Sequence, residues 1–322
     1  MTAAPVHIPV MLTDMLAALA PTPGGLFVDG TFGGGGYTCA ILNTAPDARV
    51  IAFDRDPAAR ARYDSLPLNM REKITFIDAP FSRMADEIRE RAFPAVDGIV
   101  LDLGVSSPQI DEAARGFSFR LDGPLDMRMD PRVGASAADI VNTVAEGDLA
   151  DILYTYGEEK KSRAIARAIV SRRKEKPFTT TQDLADLIRG IVRQSPRDMS
   201  DPATRSFQAL RLYVNDELNE LKSALIAALS LLREGGRLVI VTFHSLEDRI
   251  VKQFFHHHAG RTARPSRYTP AANMDSSSLP LLSLPHTRAI AVNDDEAAKN
   301  PRARSAHLRV AIRTAVPLPK EV

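Results

Sequence analysis

The sequence predicts an α/β fold, a parallel sheet flanked by helices and interrupted by an all-helical insertion. Three observations carry that expectation. Short apolar runs alternate with helical segments between Leu26 and Asp102, the pattern of strands joined by helical crossovers. A glycine turn, Gly33 to Gly36, stands between the first strand and its helix. The next clear strand, Gly235 to Phe243, lies too far from the fourth for an ordinary crossover, so a domain is inserted between them.

His7-Ile8-Pro9-Val10 opens the chain, and Met11 to Leu19 is an amphipathic helix with Thr13 or Asp14 near its start, placed beside the glycine loop. Leu26 to Val28 is the first strand and Tyr37 to Leu42 the first crossover helix. The intervening glycines matter because a backbone without Cβ takes positive φ and approaches a ligand closely, while the helix N-terminus behind it offers free N–H groups. Arg49 to Phe53 is the second strand, ended by Asp54 at the distance where a nucleotide-binding acid accepts from ribose hydroxyls. A nucleoside cofactor is expected here, although the dinucleotide fingerprint is imperfect, with Thr38 at its third glycine position. A charged helix to Tyr63 leads to strand three, Lys73 to Ile77, after which Asp78 to Phe81 lies beside the adenine. Strand four, Val96 to Leu101, ends at Asp102 and is followed by a loop to Gln109.

The insertion holds helical segments at Ala135–Val144, Asp148–Tyr156, Lys161–Arg173 and Gln182–Val192, then a run from Thr204 to Arg233. Thr180 with Asp183 is a capping signal. Phe207, Leu210 and Val214 keep helical spacing and read as core, with Gln208, Arg211 and Asn215 on another face. The expected division is 1–112 and 213–322 for the sheet domain and 113–212 for the helical one. After strand five a helix runs to about His258, with Ser245 and Asp248 as its capping pair. Residues 260–305 show no sustained periodicity and are expected to form a mobile excursion, and Ala306 to Thr314 alternates as a closing strand.

Composition is ordinary for a globular chain of 322 residues, with a net charge of +1 and 25% charged residues, so any nucleic-acid surface has to be sought in the distribution of charge. One cysteine excludes an internal disulfide framework and a Cys-rich zinc site, which fits a reducing cytoplasm. No apolar run reaches membrane-spanning length, and no secretory leader is visible. His256-His257-His258 cannot converge on a metal from consecutive helical positions, and no metal is expected.

Several stretches carry a resemblance: Asp29-Gly-Thr-Phe-Gly33, Phe53-Asp-Arg-Asp-Pro57, Leu101-Asp-Leu-Gly-Val-Ser-Ser-Pro-Gln109, Arg115-Gly-Phe-Ser-Phe119, Gly123 to Asp130, Tyr156-Gly-Glu-Glu159, Phe207 to Arg211, Phe243-His-Ser-Leu-Glu-Asp-Arg249, and Asn300-Pro-Arg with Arg304-Ser-Ala. They span nearly the whole chain. The sequence resembles the bacterial ribosomal small subunit methyltransferase H, or MraW, family, which uses S-adenosylmethionine to methylate the exocyclic N4 of a cytosine in the decoding region of 16S rRNA. The resemblance implies a Rossmann-like class I methyltransferase sheet with an inserted helical domain, and cofactor contacts at Gly33, Gly35, Gly36, Tyr37, Asp54, Phe81, Asp102 and Gln109. Tyr37 stands where many relatives carry histidine, and His307 where lysine is usual. The implied partner is 16S rRNA or the small ribosomal subunit, with a homodimer as a possible assembly.

The residues agree with nitrogen rather than carbon chemistry. Methylation at C5 of a pyrimidine needs a thiolate, and the only thiol, Cys39, falls on the helix after the glycine loop. Transfer to N4 instead needs alignment and acceptors for its N–H groups, which Asp102, Ser106, Ser107 and nearby carbonyls offer. The same serines also read as a turn that caps the following segment. Phe117 or Phe119 is the candidate to stack on the base, and Glu247 and Arg249 have no assigned role. Lys160, Lys161, Arg163, Arg167, Arg172, Arg173, Lys174 and Lys176 form the densest basic stretch, a candidate phosphate surface, and Arg261, Arg264, Arg267, Arg302 and Arg304 a second strip. The rival readings are a nicotinamide oxidoreductase on the same turn and a non-catalytic RNA-binding assembly factor.

Overall fold

The computed structural model describes residues 9–193, 200–261 and 279–318. Helix α1 (Leu12–Leu19) precedes strand β1 (Leu26–Asp29), and α2 (Gly36–Thr44) leads to β2 (Arg49–Asp54). Helices α3 (Pro57–Asp64) and α4 (Leu68–Arg71) connect to β3 (Ile74–Asp78). A 3-10 turn (Phe81–Arg83) and α5 (Met84–Glu90) connect to β4 (Val96–Asp102). The insertion carries α6 (Ser107–Asp111), α7 (Ala137–Thr143), α8 (Glu146–Gly157), α9 (Ser162–Arg173), α10 (Thr181–Ile191) and α11 (Thr204–Val214). Helix α12 (Glu217–Leu231) runs straight into β5 (Leu232–Thr242). Then come α13 (Ser245–His258), β6 (Leu282–Ser283), β7 (Ile290–Ala291), α14 (Asp294–Lys299) and β8 (His307–Arg313).

The strand order is β3-β2-β1-β4-β5-β8-β6, with β7 also paired to β8. Strands β1 to β5 pair in parallel, and β8 returns antiparallel to β5. Val50 to Phe53 and Gly98 to Leu101 are buried without interruption, as strands covered on both faces must be. Alternation then divides them: Ile51, Phe53, Ile99 and Leu101 face the core built with α5, α12 and α13, while Val50, Ala52 and Val100 face the one built with α1 and α2. Strand order reverses on either side of β1, so the crevice beyond β1 and β4 is where such a sheet binds ligands.

The chain forms two compact units, residues 1–104 with 220–322, and 105–219. The expected boundaries at 112 and 212 move outward because the flanking residues pack within the helical unit. Asn215 is the clearest case: its Nδ2 donates to Met127 O at 2.8 Å, and its Oδ1 accepts from Met129 N at 2.7 Å. That side chain is buried, while Gln208 and Arg211 are only half-buried. The run Thr204–Arg233 is likewise two helices and a strand start, broken where Asp216 takes φ +48°. Of the 260–305 excursion, residues 262–278, with Arg264 and Arg267, lie outside the described residues, as do His7 and Ile8. The rest is not irregular: β6 and β7 pair with β8, and Leu281, Leu282 and Leu284 enter the core. Helix α13 is capped by His244, whose Nδ1 accepts from Glu247 N at 3.4 Å, and not by Ser245. Asp248 instead pairs bidentately with Arg309, at 2.7 and 2.9 Å. Among the described residues no helix is long and apolar enough to cross a membrane.

Candidate active site

Asp29 closes β1 fully buried, and its carboxylate ties together the two ends of the glycine turn. Oδ1 accepts from Thr31 N at 3.0 Å and Oδ2 from the Thr38 hydroxyl at 2.7 Å. Thr38 thus replaces the third glycine of the dinucleotide pattern for a reason, since its Oγ1 helps to satisfy this acid. Gly30 N–H crosses to Val100 O at 3.0 Å, and a Cβ there would lie 2.3 Å from Leu101 Cδ2 and 3.1 Å from Phe81 Cβ, so Gly30, Leu101 and Phe81 meet at one point.

The turn itself is fixed group by group. Phe32 N donates to Phe53 O at 2.9 Å, Gly33 N to Asp54 Oδ2 at 2.7 Å, and Gly35 N to Phe32 O at 2.6 Å. Gly33 and Gly35 hold φ of +52° and +79°, which side chains disfavour. Arg62 Nη1, from α3, donates to Gly33 O at 3.2 Å. Gly36 begins α2 so close to Pro9 that a Cβ would lie 2.2 Å from its Cγ. The Tyr37 ring is buried, and its hydroxyl donates to Val10 O at 2.5 Å. Burial, then Asp102 and Asp29, push that phenol well above its ordinary range.

Asp54 accepts from Asp56 N through its other oxygen at 2.8 Å, and burial pushes its carboxyl up to about 6. Asp102, at the end of β4, accepts nothing at Oδ1, which is buried without a partner, while its own N–H donates to Thr31 Oγ1 at 2.7 Å. Burial first, then the neighbouring Asp29 and Glu247, push its carboxyl far above the usual carboxylate range. Glu247 is buried at the start of α13, its Oε2 accepting from Phe243 N at 3.0 Å. His244 Nε2 stands 3.0 Å from Glu247 Oε1 but is not aligned to hydrogen-bond it.

The sheet unit therefore brings together Gly33, Gly35, Gly36, Tyr37, Asp54, Phe81 and Asp102 at the C-terminal ends of β1 to β4. Its chemistry suits a nucleoside carrying a positive charge: a free acceptor on a buried acid is a place for a cation, and Asp54 beside the glycine turn is a place for a ribose. Sequence reasoning passed over Arg62, read Thr38 only as a missing glycine and left Glu247 without a role. Arg62 had no signal at all, since nothing in a charged helix says which arginine turns back to the loop.

The helical unit holds the remaining candidates. Ser106 stands at the N-cap position of α6, where its N–H donates to Gln109 Oε1 at 2.9 Å, while its own hydroxyl is buried without a hydrogen-bond partner. Ser107 is the first residue of that helix. Phe119 packs edge-on against Phe207, ring centroids 4.8 Å apart, with the Arg189 guanidinium 5.4 Å over its face. Phe117 lies under Arg115 at 5.7 Å. Arg172 and Arg173 are not free for phosphate as expected. Arg172 stacks 4.0 Å over Phe178 and pairs with Asp183, while Arg173 Nη1 donates to Val141 O and Val144 O, both at 2.8 Å. Lys174 is exposed. Among the described residues no His, Cys, Asp and Glu cluster could hold a metal.

A family model described as the MraW methylase family matches residues 4–314. The chain is 55% identical over 305 residues to ribosomal RNA small subunit methyltransferase H of Granulibacter bethesdensis, covering 94% of this chain and 90% of that one. It is 54% identical over 313 residues to the protein of the same name in Rhodospirillum rubrum, covering 97% and 95%. The Gluconobacter oxydans protein of that name is 55% identical over 308 residues, covering 95% and 93%.

Proposed function

The chain belongs to the MraW methylase family, and on that premise we propose that it transfers a methyl group from S-adenosylmethionine to the exocyclic N4 of a cytosine in the decoding region of 16S rRNA. It does so in the cytoplasm, on the RNA or on the small ribosomal subunit. The observation that carries the cofactor half is Asp102 Oδ1, a buried acceptor without a partner, facing Asp29 and Glu247 beside a glycine turn. Burial, then Asp29 and Glu247, disfavour the charged form of Asp102, and a sulfonium with an α-ammonium offsets that. A nicotinamide dinucleotide would bring an anionic pyrophosphate to the same turn, and Thr38 in place of the third glycine departs from the pattern that binds one.

When bound, the cofactor supplies an electrophilic methyl group on a cationic sulfur. The chain supplies placement. Asp54 accepts from the ribose hydroxyls, Gly33 to Gly36 let the backbone approach, Phe81 borders the adenine, and Asp102 faces the positive end. The N4 lone pair of cytosine is delocalised into its ring, so the rate depends on holding N4 in line with the methyl group and accepting from its N–H groups. Acceptors for that task come from Asp102 and the segment after it, where the Ser106 hydroxyl has no other partner and Ser107 and the loop carbonyls follow.

The test is methyl incorporation. Labelled S-adenosylmethionine is incubated with unmethylated 16S transcript and with small subunits, and the RNA is digested for mass spectrometry. N4-methylcytidine is the expected product. No incorporation in either substrate, or label at C5, would sink the proposal.

A further inference from the structure

The basic stretch singled out in the sequence separates into two groups once folded. Lys161, Arg172 and Arg173 are tied to the chain itself: Lys161, though exposed, donates from Nζ to Ile191 O at 3.1 Å, Arg172 is held by Asp183, Lys176 O and the face of Phe178, and Arg173 satisfies carbonyls at the end of α7. Those carbonyls lack helical partners of their own, so the second arginine acts as a C-terminal cap. The other group faces solvent. Helix α9 buries Ser162, Ile165, Ala166 and Ile169, which leaves Arg163 and Arg167 one turn apart on the opposite side. Lys174, at the C-cap, follows Arg167 by seven residues, so Arg163, Arg167 and Lys174 share one face about 16 Å long at 1.5 Å per residue, and Lys160 flanks it in the turn before the helix. All four are exposed, Arg167 with 77% of its side chain accessible. Glu146 stands 3.6 Å from Arg167 in an exposed pair of little strength.

We propose that this exposed face of α9, carried by Lys160, Arg163, Arg167 and Lys174, is the surface on which the enzyme holds the phosphate backbone of its RNA substrate. The inference rests on the RNA-methylating reading and deepens it by naming the surface. Charge complementarity selects the occupant. Flexible ammonium and guanidinium groups spaced along a helix, with no apolar patch between them, suit a polyanion read by its backbone rather than by its bases. The arginines that a sequence scan would choose first, Arg172 and Arg173, are structural instead.

Binding of a fluorescent 16S transcript and of small subunits is measured between 50 and 200 mM salt for the parent and for a variant with Lys160→Gln, Arg163→Gln, Arg167→Gln and Lys174→Gln. Four lost phosphate contacts should reduce the slope of log K against log salt by about 3, equivalent to about 50-fold of affinity across that range. S-adenosylmethionine affinity and melting temperature should match the parent. The paired control, Arg172→Gln with Arg173→Gln, should lower the melting temperature and leave the slope in place. A quadruple variant with the parental slope overturns the surface while leaving the RNA reading intact. Loss of subunit binding with parental transcript binding assigns the face to protein and also overturns it. A parent that binds S-adenosylmethionine but neither RNA nor subunits overturns the RNA reading and this surface together.

Discussion

Gly33 and Asp54 are joined by a 2.7 Å hydrogen bond from the glycine N–H to carboxylate Oδ2, so the acid that would hold the ribose also holds the turn beside it. Asp54→Ala should then cost twice, through the missing ribose acceptor and through a loosened turn. One charge-assisted hydrogen bond contributes roughly 1.5 to 3 kcal/mol, so S-adenosylmethionine affinity should fall by about ten- to 150-fold. Calorimetry on a variant shown to be folded by circular dichroism checks this, and parental affinity would falsify the ribose placement.

Asp54 also predicts a pH dependence. Burial raises its carboxyl from 3.8 to about 6, so the folded chain binds this proton more tightly than the unfolded one. The corresponding stability, about 3 kcal/mol, is fully present below pH 3.8 and is lost as pH rises through about 6. The difference in melting temperature between the parent and Asp54→Asn should therefore change between pH 5 and 7, and level off above. Cofactor affinity should run the other way, weakening as pH falls below about 6, because the protonated acid is the poorer acceptor. A difference that stays flat from pH 5 to 7 contradicts the raised carboxyl.

Arg62 holds the next peptide group of the same turn, its Nη1 donating to Gly33 O at 3.2 Å. Arg62→Ala should raise the KM for S-adenosylmethionine by about three- to tenfold, at roughly 1 kcal/mol for the lost hydrogen bond. Neither kcat nor the KM for RNA should move. Arg62→Lys should recover part of the loss. An equal fall in kcat for both variants would mean that Arg62 acts elsewhere.

Space is equally decisive at Gly30, where a Cβ would lie 2.3 Å from Leu101 Cδ2. Gly30→Ala should destabilise the fold by about 1 to 3 kcal/mol, the usual cost of overpacking. Chemical denaturation reads this directly. At Gly34, where an added Cβ meets nothing within 4 Å, the same substitution should be far milder.

Cys39→Ser should retain methyl transfer, and 5-fluorocytosine in the RNA should trap no covalent adduct. The thiol is half-exposed on α2, and burial followed by Asp29 pushes it up, away from the thiolate that carbon methylation needs. Asp102→Ala, by contrast, should abolish most activity. A trapped adduct on electrophoresis would reverse the assignment to nitrogen.

Much of the sheet unit was legible because parallel strands advertise themselves as short apolar runs, and each of β1 to β5 lies within a few residues of its expected place. The glycine turn and Asp54 were legible for the same reason, being tied to strand ends. What stayed hidden was set by contacts distant in sequence. Asn215 keeps helical spacing with Arg211, yet it is buried because Met127 and Met129 offer it backbone partners. Ser245 and Asp248 have the letters of a capping box, but Arg309 on β8 takes the aspartate and leaves the cap to His244. Arg172 and Arg173 look like their exposed neighbours in a list of charges. Only the fold shows that Phe178, Asp183 and the end of α7 claim them.

The bond from Met11 N–H to Glu296 Oε1, 2.7 Å long, gives the sheet unit an order of assembly. The segment it anchors is the one that Gly36 and Tyr37 pack against, yet its partner is synthesised 285 residues later. Strand β5, which completes the wall beside Asp102, likewise emerges only after the whole of residues 105–219. During translation the helical unit can close on itself while β1 to β4 still lack their neighbours and present an open edge. The nascent chain is thus expected to be incompetent to bind S-adenosylmethionine until α14 and β8 have left the ribosome, which makes cofactor capture a late event in biogenesis.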